Sequence, residues 1–270
     1  MEDMAQSYLY HYTNVSSLAM ILKNKNIRFN PLTVLDDMEE EKIQDKQRYG
    51  KWVFVSSWTE DAVESIPMWR MYTSQTDGVR IKLPKYPFRK YKLTIDNFNR
   101  IEREFPLEVE NMDIVIPPDD YIYSDYYLFN YHQKKILHKV SYTSDNNKLY
   151  PRIANFEDNT FEFVSSNLGV YKNTYWSFQK EWRYILYFLP MSFQEFLKNP
   201  FQPDLTNIFA CTDLPFNHYF LELNEEKFKD MEITLCPQIS DGNRIIVNLL
   251  IEKYNPTALI QESALLGKIR

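Results

Sequence analysis

The alternation of apolar and polar positions predicts a buried strand at residues 182–188. Trp182, Tyr184, Leu186 and Phe188 are large apolar or aromatic residues at every second position, and Arg183, Ile185 and Tyr187 alternate with them. Successive side chains of a strand point to opposite faces, so this alternation is typical of a strand with one strongly apolar face. If the alternation extends backwards, Gln179, Glu181 and Arg183 project together from the other face.

The same patterns predict further elements along most of the chain. Other predicted strands are residues 7–13, 27–30, 52–58, 78–83, 136–142, 218–223, 232–236 and 257–261. Predicted helices follow Asn14 up to about Asn26, occupy residues 36–49, begin at Pro67, occupy residues 157–170 and 191–198, and follow Ser240. Asn14 and Ser240 are suited to cap helices, and Pro67 to a first helical turn.

Side chains at helical spacing assign inward faces to these helices. In the first helix the apolar face carries Val15, Leu18, Ile21 and Leu22. In the helix after Ser240, we expect Ile245, Leu249 and Ile251 to pack inward, whereas the charged helix 36–49 is expected to be solvated. Trp69 is interpreted as a core residue of its helix.

Several strands interspersed with helices indicate a single domain of the mixed α+β class over residues 1–270. A chain of 270 residues is at the upper edge of one domain. Residues 86–150 are less regular and rich in tyrosine, so we interpret them as an insertion that decorates the core. The tyrosines at 121–131 are compatible with stacking on unpaired bases, with binding an inhibitory partner or with packing inside the insertion.

Composition excludes several function classes. The net charge of -6 argues against broad adhesion to nucleic acid, although a local basic groove stays possible. No GxGxxG or GxxxxGK[ST] motif is present, and 5 glycines allow few phosphate-cradling turns. Cys211 and Cys236 are interpreted as reduced packing residues, and no Cys/His cluster suggests zinc. With no signal pattern and only short apolar runs, a cytoplasmic protein without a membrane segment is expected.

Glu181 is the first candidate for chemistry. A carboxylate between the amide of Gln179 and the guanidinium of Arg183, at the start of a buried strand, is costly unless it has a partner. One interpretation is a catalytic carboxylate, and the other is an ion pair between Arg183 and Glu181 on a solvated strand face. The pattern alone leaves both open.

Four short motifs occur in an order that resembles a bacterial and phage family catalogued as a domain of unknown function. The motifs are Leu9-Tyr10-His11-Tyr12-Thr13, Leu35-Asp36-Asp37-Met38-Glu39, Val55-Ser56-Ser57-Trp58 with Pro67-Met68-Trp69-Arg70-Met71-Tyr72, and Trp176 with Lys180-Glu181-Trp182-Arg183. The family opens with a Tyr-His/Lys-Tyr strand and carries a Trp…Glu-Lys-Glu-Trp-Arg segment. This chain has Gln179 at the first Glu, and Asp36-Asp37-Met38 where the family has Asn-Asp-Pro.

That family in turn is similar to ADP-ribosyltransferases, and this resemblance implies an NAD site in a split between two small sheets. It implies that Gln179-Lys180-Glu181 matches a Gln-x-Glu motif, in which Glu181 supports the developing positive charge and Gln179 orients the acceptor. It also implies that His11 binds ribose hydroxyls and that the backbone at Tyr12 and Thr13 reaches the nicotinamide amide. The alternative for His11 is a core histidine bonded to a carbonyl.

Three further residues are candidates for binding NAD. Arg28 suits a pyrophosphate, because a guanidinium fork fits phosphate oxygens, and is otherwise a surface charge. Ser56 resembles a hydroxyl that stiffens comparable NAD sites, and is otherwise an ordinary strand residue. Tyr72 is a candidate wall of the nicotinamide pocket, because a flat ring suits a planar ligand.

The function expected from this resemblance is an NAD-dependent mono-ADP-ribosyltransferase. It would be a toxin-like effector of a bacterial toxin–antitoxin or anti-phage defence system that modifies RNA, DNA or protein, with RNA slightly favoured. An antitoxin protein and a chaperone are its expected partners. The alternatives are a non-enzymatic protein-binding module on the same fold and a metal-dependent nuclease that uses the acidic run Asp36, Asp37, Glu39, Glu40 and Glu41. An acidic run of this kind more often serves solvent and the helix dipole, and no metal is expected in the site.

Overall fold

A computed structural model describes residues 7–45, 48–98, 112–157, 160–164, 167–198 and 206–269. The strands are β1 Tyr8–Asn14, β2 Asn26–Pro31, β3 Val53–Thr59, β4 Gly78–Pro84, β5 Tyr91–Leu93, β6 Met112–Ile114, β7 Tyr127–Leu128, β8 Leu137–Lys139, β9 Ser141–Thr143, β10 Ala154–Glu157, β11 Thr160–Phe163, β12 Tyr171–Asn173, β13 Glu181–Leu189, β14 Tyr219–Glu222, β15 Glu232–Leu235 and β16 Leu259–Gln261. The α-helices are α1 Val15–Asn24, α2 Ile66–Tyr72, α3 Pro118–Tyr123, α4 Asn146–Leu149, α5 Phe193–Lys198, α6 Thr206–Phe209, α7 Glu225–Lys229 and α8 Asp241–Tyr254. Short 3-10 helices occupy Leu32–Val34, Tyr49–Trp52, Ile95–Phe98 and Thr174–Gln179.

Strand β3 joins two diverging halves of the main sheet. One of its edges pairs with β13 along its full length, from Tyr187↔Val53 to Glu181↔Thr59. Its other edge pairs first with β2, at Phe54 and Val55, and then with β1 at the single position Thr59. The strands β4, β15 and β16 continue outward from β1, and β14 from β2. A gap therefore opens between β1 and β2 beside the middle of β3.

The first strand and helix follow the sequence pattern closely. The Asn14 side chain accepts a hydrogen bond from the backbone N–H of Ser17 at 2.8 Å, as an N-cap should. The four apolar residues predicted for the inner face of α1 are all buried. Cap and apolar face are both local signals, which is why the prediction of this helix is confirmed.

Part of the predicted insertion at residues 86–150 extends the main sheet, and residues 99–111 of it lie outside the described part of the chain. Strands β7 and β8 both pair with β13, on the edge opposite β3. Four of the five tyrosines at 121–131 serve packing, since Tyr121 and Tyr127 are buried and Tyr126 and Tyr131 pack against the core, whereas Tyr123 is exposed. Their rings contact one another and neighbouring phenylalanines such as Phe193.

The helix predicted at residues 36–49 is wrong. Residues 36–45 form turns and bends, and Tyr49 begins a 3-10 helix. The Asp37 side chain accepts a hydrogen bond from the backbone N–H of Glu39 at 3.0 Å, and short acidic side chains compete with helix formation in this way. Residues 46–47 of that prediction lie outside the described part of the chain.

The helix predicted at residues 157–170 is also wrong. In its place β10 and β11 form an antiparallel hairpin with Glu157 opposite Thr160. Residues 158–159 and 165–166 of that prediction lie outside the described part of the chain. In the sequence, Asp158-Asn159 is a turn-favouring dipeptide flanked by β-forming residues, a signal that outweighs the helical interpretation. The strand predicted at residues 136–142 is divided between β8 and β9, which pair with different partners.

The C-terminal helix exists, but its predicted inner face is confirmed only at Ile251 and is wrong at Ile245 and Leu249. Ser240 caps α8 as predicted, and Val247 and Ile251 are buried. Ile245 and Leu249 are each 59% exposed, so they do not pack inward. Val247 and Ile251 are four residues apart, and they lie on the side of α8 that packs toward α1. The position of α1, which the local pattern of α8 does not contain, decides which side is buried.

The mixed α+β class predicted from the sequence is confirmed for one domain. Most predicted strands are present within one or two residues of their expected ends. Trp69 is buried as predicted, against Tyr12, and both cysteines are free. Within the described residues, no helix combines the length and apolar character needed to cross a membrane.

Candidate active site

A cavity of about 660 Å³ lies at the gap between β1 and β2. Its floor is the middle of β3, and its walls come from β1, α1, β2, α2 and the segment that leads into β13. This volume lies within the ~300–1,000 Å³ of typical ligand pockets. The structure brings together all the residues proposed from the sequence as catalytic or NAD-binding, which are His11, Tyr12, Thr13, Arg28, Ser56, Tyr72, Gln179 and Glu181.

Four buried charged side chains contact one another beside the cavity, and we call them the ionic cluster: Glu40, Lys172, Glu181 and Arg183. Lys172, Glu181 and Arg183 line one wall of the cavity, and Glu40 lies behind them. Arg183 Nε donates to Glu181 Oε1 at 2.6 Å, and its Nη2 donates to Glu181 Oε2 at 3.1 Å. The same Nη2 donates to Glu40 Oε1 at 2.8 Å, and Nη1 also binds Glu40. The guanidinium thus holds both carboxylates.

Lys172 completes the ionic cluster. Its Nζ lies 3.2 Å from Glu40 Oε1 and 3.5 Å from Glu181 Oε2. Two cations therefore balance two carboxylates, and none of the four residues is more than 7% exposed. Removing any one of these charges would leave an uncompensated buried charge, which is destabilising.

The surroundings of Glu181 keep its carboxylate ionised. Burial raises the pKa of Glu181, but the charges of Arg183 and Lys172 and hydrogen bonds from Arg183 and Ser57 outweigh that effect, so the pKa is lowered overall. The backbone N–H of Glu181 donates to the hydroxyl of Tyr142 at 2.8 Å, which helps to fix the start of β13. A negative charge is therefore held ready at the cavity wall.

The ion pair of Arg183 and Glu181, which the sequence allowed on a solvated strand face, is buried. Arg183 is 1% and Glu181 4% exposed. The acidic run at residues 36–41 is likewise not a solvated face along its whole length, because Glu40 turns inward onto Arg183 and Lys172. Among the residues that the structure describes, no group of three or more His, Cys, Asp or Glu side chains is arranged to hold a metal ion.

Gln179 contacts the ionic cluster through Lys172, although it does not belong to strand β13. It ends the 3-10 helix Thr174–Gln179, and β13 begins two residues later at Glu181. The intervening Lys180 has a left-handed backbone with φ 44°, a conformation that non-glycine residues seldom adopt. Strand alternation therefore does not place Gln179. This tight turn does, and it leaves Gln179 buried beside Lys172.

A chain of hydrogen bonds runs from Gln179 to the mouth of the cavity. The side-chain oxygen of Gln179 accepts from Lys172 Nζ at 3.0 Å, and its Nε2 donates to the hydroxyl of Tyr72. The Tyr72 hydroxyl in turn donates to Asp36 Oδ2 at 2.6 Å. Tyr72 thus borders the cavity with its ring and joins this chain of hydrogen bonds with its hydroxyl. The bond to Asp36 links helix α2 to the segment that follows β2.

His11 lies on β1 at the opposite wall of the cavity. Its Nδ1 donates to the backbone carbonyl of Ser57 at 2.8 Å, and its ring lies 5.0 Å from that of Trp58. Burial lowers the pKa of His11 more than the carbonyl raises it, so the neutral ring is favoured. With Nδ1 engaged, the neutral ring offers Nε2 as a hydrogen-bond acceptor. A carbonyl-bonded histidine and a ligand-binding histidine are therefore compatible.

Tyr12 and Thr13 present backbone to the cavity. β1 pairs with β3 only at Tyr10, so the backbone edge of residues 11–13 has no strand neighbour on that side among the described residues. The Tyr12 ring itself packs edge-on against Trp69, and its hydroxyl accepts from the backbone of Ser65 at 3.0 Å. Unpaired backbone groups at such an edge are available to a ligand.

The remaining candidates, Ser56 and Arg28, differ in burial and in their hydrogen-bond partners within the protein. The Ser56 hydroxyl accepts from the indole of Trp58 at 3.0 Å, whereas the neighbouring Ser57 is the serine that acts on Glu181. Arg28 is exposed on β2 and donates through Nε to Asn30 at 2.7 Å. Arg28 lines the cavity, and that bond uses Nε and not the two terminal nitrogens, which form the fork suited to phosphate oxygens.

Comparison with protein-family models found a match to a family of unknown function. Residues 68–184 match the family model described as "Protein of unknown function (DUF2971)". The match covers less than half of the chain and includes Tyr72, Lys172, Gln179, Glu181 and Arg183, but it stops short of His11 and Glu40 on the N-terminal side. Searches of curated proteins and of solved structures found no significant match.

Proposed function

We propose that this protein is an NAD-dependent mono-ADP-ribosyltransferase. The observation that carries the proposal is the meeting of an ionised, buried Glu181 with His11, Arg28 and an open strand edge around one cavity. The cavity of about 660 Å³ lies within the size range of ligand and cofactor sites. These residues come from separate segments of the chain, and their meeting at one cavity supports a common role.

In the proposed reaction, the bond between the ribose C1′ and the nicotinamide nitrogen breaks. Nicotinamide leaves with the bonding electron pair as a neutral molecule, and positive charge develops on the ribose as in glycoside cleavage. A nucleophilic atom of the acceptor forms the new bond to C1′ and releases its proton to solvent. The fixed carboxylate of Glu181 stabilises the ribose charge as it develops, which is electrostatic catalysis by a preorganised group.

The other residues have roles in binding. The neutral ring of His11 accepts a hydrogen bond from a ribose hydroxyl through Nε2, and the backbone at residues 12–13 pairs with the nicotinamide amide. Arg28 binds the pyrophosphate, for which its free guanidinium nitrogens are suited. The ring of Tyr72 borders the nicotinamide, Ser56 stiffens β3 through its bond to Trp58, and Gln179 lies toward the acceptor.

We further propose that the protein is a toxin-like effector of a bacterial toxin–antitoxin or anti-phage defence system. An enzyme that modifies RNA, DNA or protein of its own cell has to be held inactive, so an antitoxin and a chaperone are the partners we propose. The acceptor is proposed to be a nucleic acid, RNA rather than DNA, with protein as the other class.

The test is to incubate the protein with NAD labelled in its adenine ring and a bacterial lysate. We expect label on a macromolecule with the parent chain and about a hundredfold less, or lower still, with folded Glu181→Gln. The matched control is Glu225→Gln, which changes the same residue type at an exposed ion pair with Lys25. Digestion of the product with nuclease or protease identifies the acceptor class. Equal labelling by Glu181→Gln and the parent would rule out the assignment of Glu181, and no labelling by the parent would contradict the transferase itself.

A non-enzymatic protein-binding module is the second candidate function, and one observation favours it. Helix α8 exposes Ile245, Ile246 and Leu249, which are 59%, 46% and 59% accessible and adjoin one another on the helix surface. Ile245→Asp with Leu249→Asp separates the two functions. An enzyme retains NAD turnover in this variant, whereas a pure binding module has no turnover to retain.

A further inference from the structure

Lys172 is a buried cation that the proposed reaction leaves without a role. It lies on β12, which pairs in parallel with β9 beside the cavity. Its side chain is 2% exposed and its Nζ sits 4.5 Å from the centre of the Trp176 ring. Within hydrogen-bonding or ion-pair distance of Nζ are Gln179, Glu40 and Glu181, at 3.0, 3.2 and 3.5 Å.

The contact with Gln179 fixes the orientation of its amide. A lysine ammonium has only donors, so the oxygen of the amide has to face Lys172. Nε2 then faces Tyr72, and because Nε2 donates, the Tyr72 hydroxyl must donate onward to Asp36. A chain of dipoles therefore runs in one direction from a buried cation to a carboxylate at the cavity mouth. Reversing the amide would place the NH2 group of Gln179 against the ammonium of Lys172, and both are donors.

The contacts with the carboxylates fix the charge balance. Arg183 binds both oxygens of Glu181 from one side, and Lys172 approaches Glu181 Oε2 from another. The other polar groups around Glu181 are Glu40 from the segment after β2, Ser57 from β3, Tyr142 from β9 and Tyr72 from α2. Lys172 and Arg183 are the cations among them, so Lys172 supplies half of the compensating charge.

We propose that Lys172 is a positioning residue for the transfer step, holding the Gln179 amide with Nε2 toward Tyr72 and the Glu181 carboxylate in one fixed position. This inference rests on the proposed transferase function. Lys172 acts through Gln179 and Glu181, and it does not bind NAD itself. The role predicts a loss of turnover without a comparable loss of NAD affinity when Lys172 is replaced.

The test compares Lys172→Met with the double variant Lys172→Met, Glu40→Gln. The single variant leaves a net negative charge in the ionic cluster, so it is expected to be strongly destabilised. The double variant removes one charge of each sign and retains the pair of Glu181 with Arg183, so folding should recover. Lys172→Arg keeps the charge but changes the geometry at Gln179, and it is measured as well. The control is Lys148→Met, an exposed lysine whose ammonium lies near Tyr171 on the same strand.

Two readouts separate positioning from mere charge compensation. The first is the side-chain amide signal of Gln179 in nitrogen-15 spectra, assigned by its absence from Gln179→Met. The second is kcat for NAD turnover together with the NAD dissociation constant from calorimetry. In the folded double variant we expect a shifted Gln179 signal and about a tenfold or larger fall in kcat, with NAD affinity changed by no more than about twofold. Lys172→Arg should also shift the Gln179 signal, and Lys148→Met should change nothing.

Some outcomes would overturn the role of Lys172. If the double variant folds with the parent kcat and an unchanged Gln179 signal, Lys172 is only a structural counter-charge. If the double variant does not fold, an unchanged Gln179 signal in Lys172→Arg leads to the same conclusion. If the parent chain does not turn over NAD, the proposed function fails, and the Gln179 signal still decides whether Lys172 positions the amide.

Discussion

The two walls of the cavity satisfy their polar groups in opposite ways. On one wall, the ionic cluster pairs every charge with another buried charge, and Arg183 is fixed by two carboxylates and the carbonyl of Gly169. On the other wall, β1 and β2 leave backbone edges open, His11 keeps one ring nitrogen free, and Arg28 is exposed. The polar groups of the first wall are occupied by the protein, and those of the second are left for a ligand.

This difference indicates a division between chemistry and binding. A buried charge that is already partnered does not reorganise when a ligand arrives, which suits a group that must stabilise developing charge. Groups with unused hydrogen-bonding capacity can pair with a ligand without first breaking a bond within the protein. Substitutions in the two walls should therefore affect different quantities: stability and turnover on the first wall, NAD affinity on the second.

Arg183→Met should produce the largest loss of stability. It leaves Glu40 and Glu181 buried against a single cation, and breaking a buried ion pair in this way costs on the order of 3–5 kcal/mol. The measurement is the free energy of unfolding from urea titration. Arg28→Met on the other wall is the matched control and should change stability by less than about 0.5 kcal/mol. Equal effects of the two arginine variants would remove the distinction between the walls.

Glu181→Gln should lower the rate of transfer by a factor of about a hundred or more, or roughly 3 kcal/mol of transition-state stabilisation. NAD affinity should change far less, because the carboxylate acts on charge that appears only in the transition state. Initial rates at saturating NAD measure the effect, with a thermal melt to confirm that the variant is folded. Full transfer activity in a folded Glu181→Gln protein would show that another group carries the chemistry.

His11→Ala should weaken NAD binding with little effect on the ionic cluster. Loss of one hydrogen bond to a ribose hydroxyl corresponds to about 1 kcal/mol, or roughly a fivefold rise in the dissociation constant. Calorimetric titration with NAD measures this change. Unchanged NAD affinity would assign His11 to the structure alone, through its bond to Ser57.

The smallest effect concerns pH. Burial lowers the pKa of His11 from its ordinary 6.5, so the unfolded chain binds the proton more tightly than the folded one. His11 therefore has no effect on stability well above pH 6.5 and destabilises the fold as pH falls through 6.5 toward its lowered value. The melting temperature of the parent should fall more between about pH 7.5 and pH 5.5 than that of His11→Gln. Identical pH profiles would indicate a His11 ring without a lowered pKa.

Local signals in the sequence were sufficient for much of the fold. The alternation at residues 182–188, the cap at Asn14 and the apolar face of α1 each depend on residues a few positions apart, and these elements are confirmed. Sequence motifs also pointed to the candidate residues on β1, β2, β3, α2 and the start of β13, and these residues line one cavity. What the sequence could not supply was the partner of each charge.

Glu40 and Lys172 illustrate that limit. Glu40 stands among acidic neighbours whose ordinary place is the surface, and Lys172 precedes the Trp176 motif without any spacing that marks it. Glu40 is paired with Arg183 and Lys172, both more than a hundred residues away in sequence, and Lys172 is paired with Glu40 as well as with Glu181. Burial would mark such a charged residue as a site candidate. In a segment without regular alternation, however, the sequence does not show which residues are buried.

The amino-acid sequence by itself determined the strands and capped helices, because hydrophobic period and capping act within a few residues of one chain segment. It also determined which side chains were capable of the proposed chemistry. The tertiary structure alone decided that α8 buries Val247 rather than Ile245, that Gln179 turns on a left-handed Lys180, and that four charges share one buried cluster. Those outcomes depend on contacts between segments far apart in the chain, whose energies no local pattern contains.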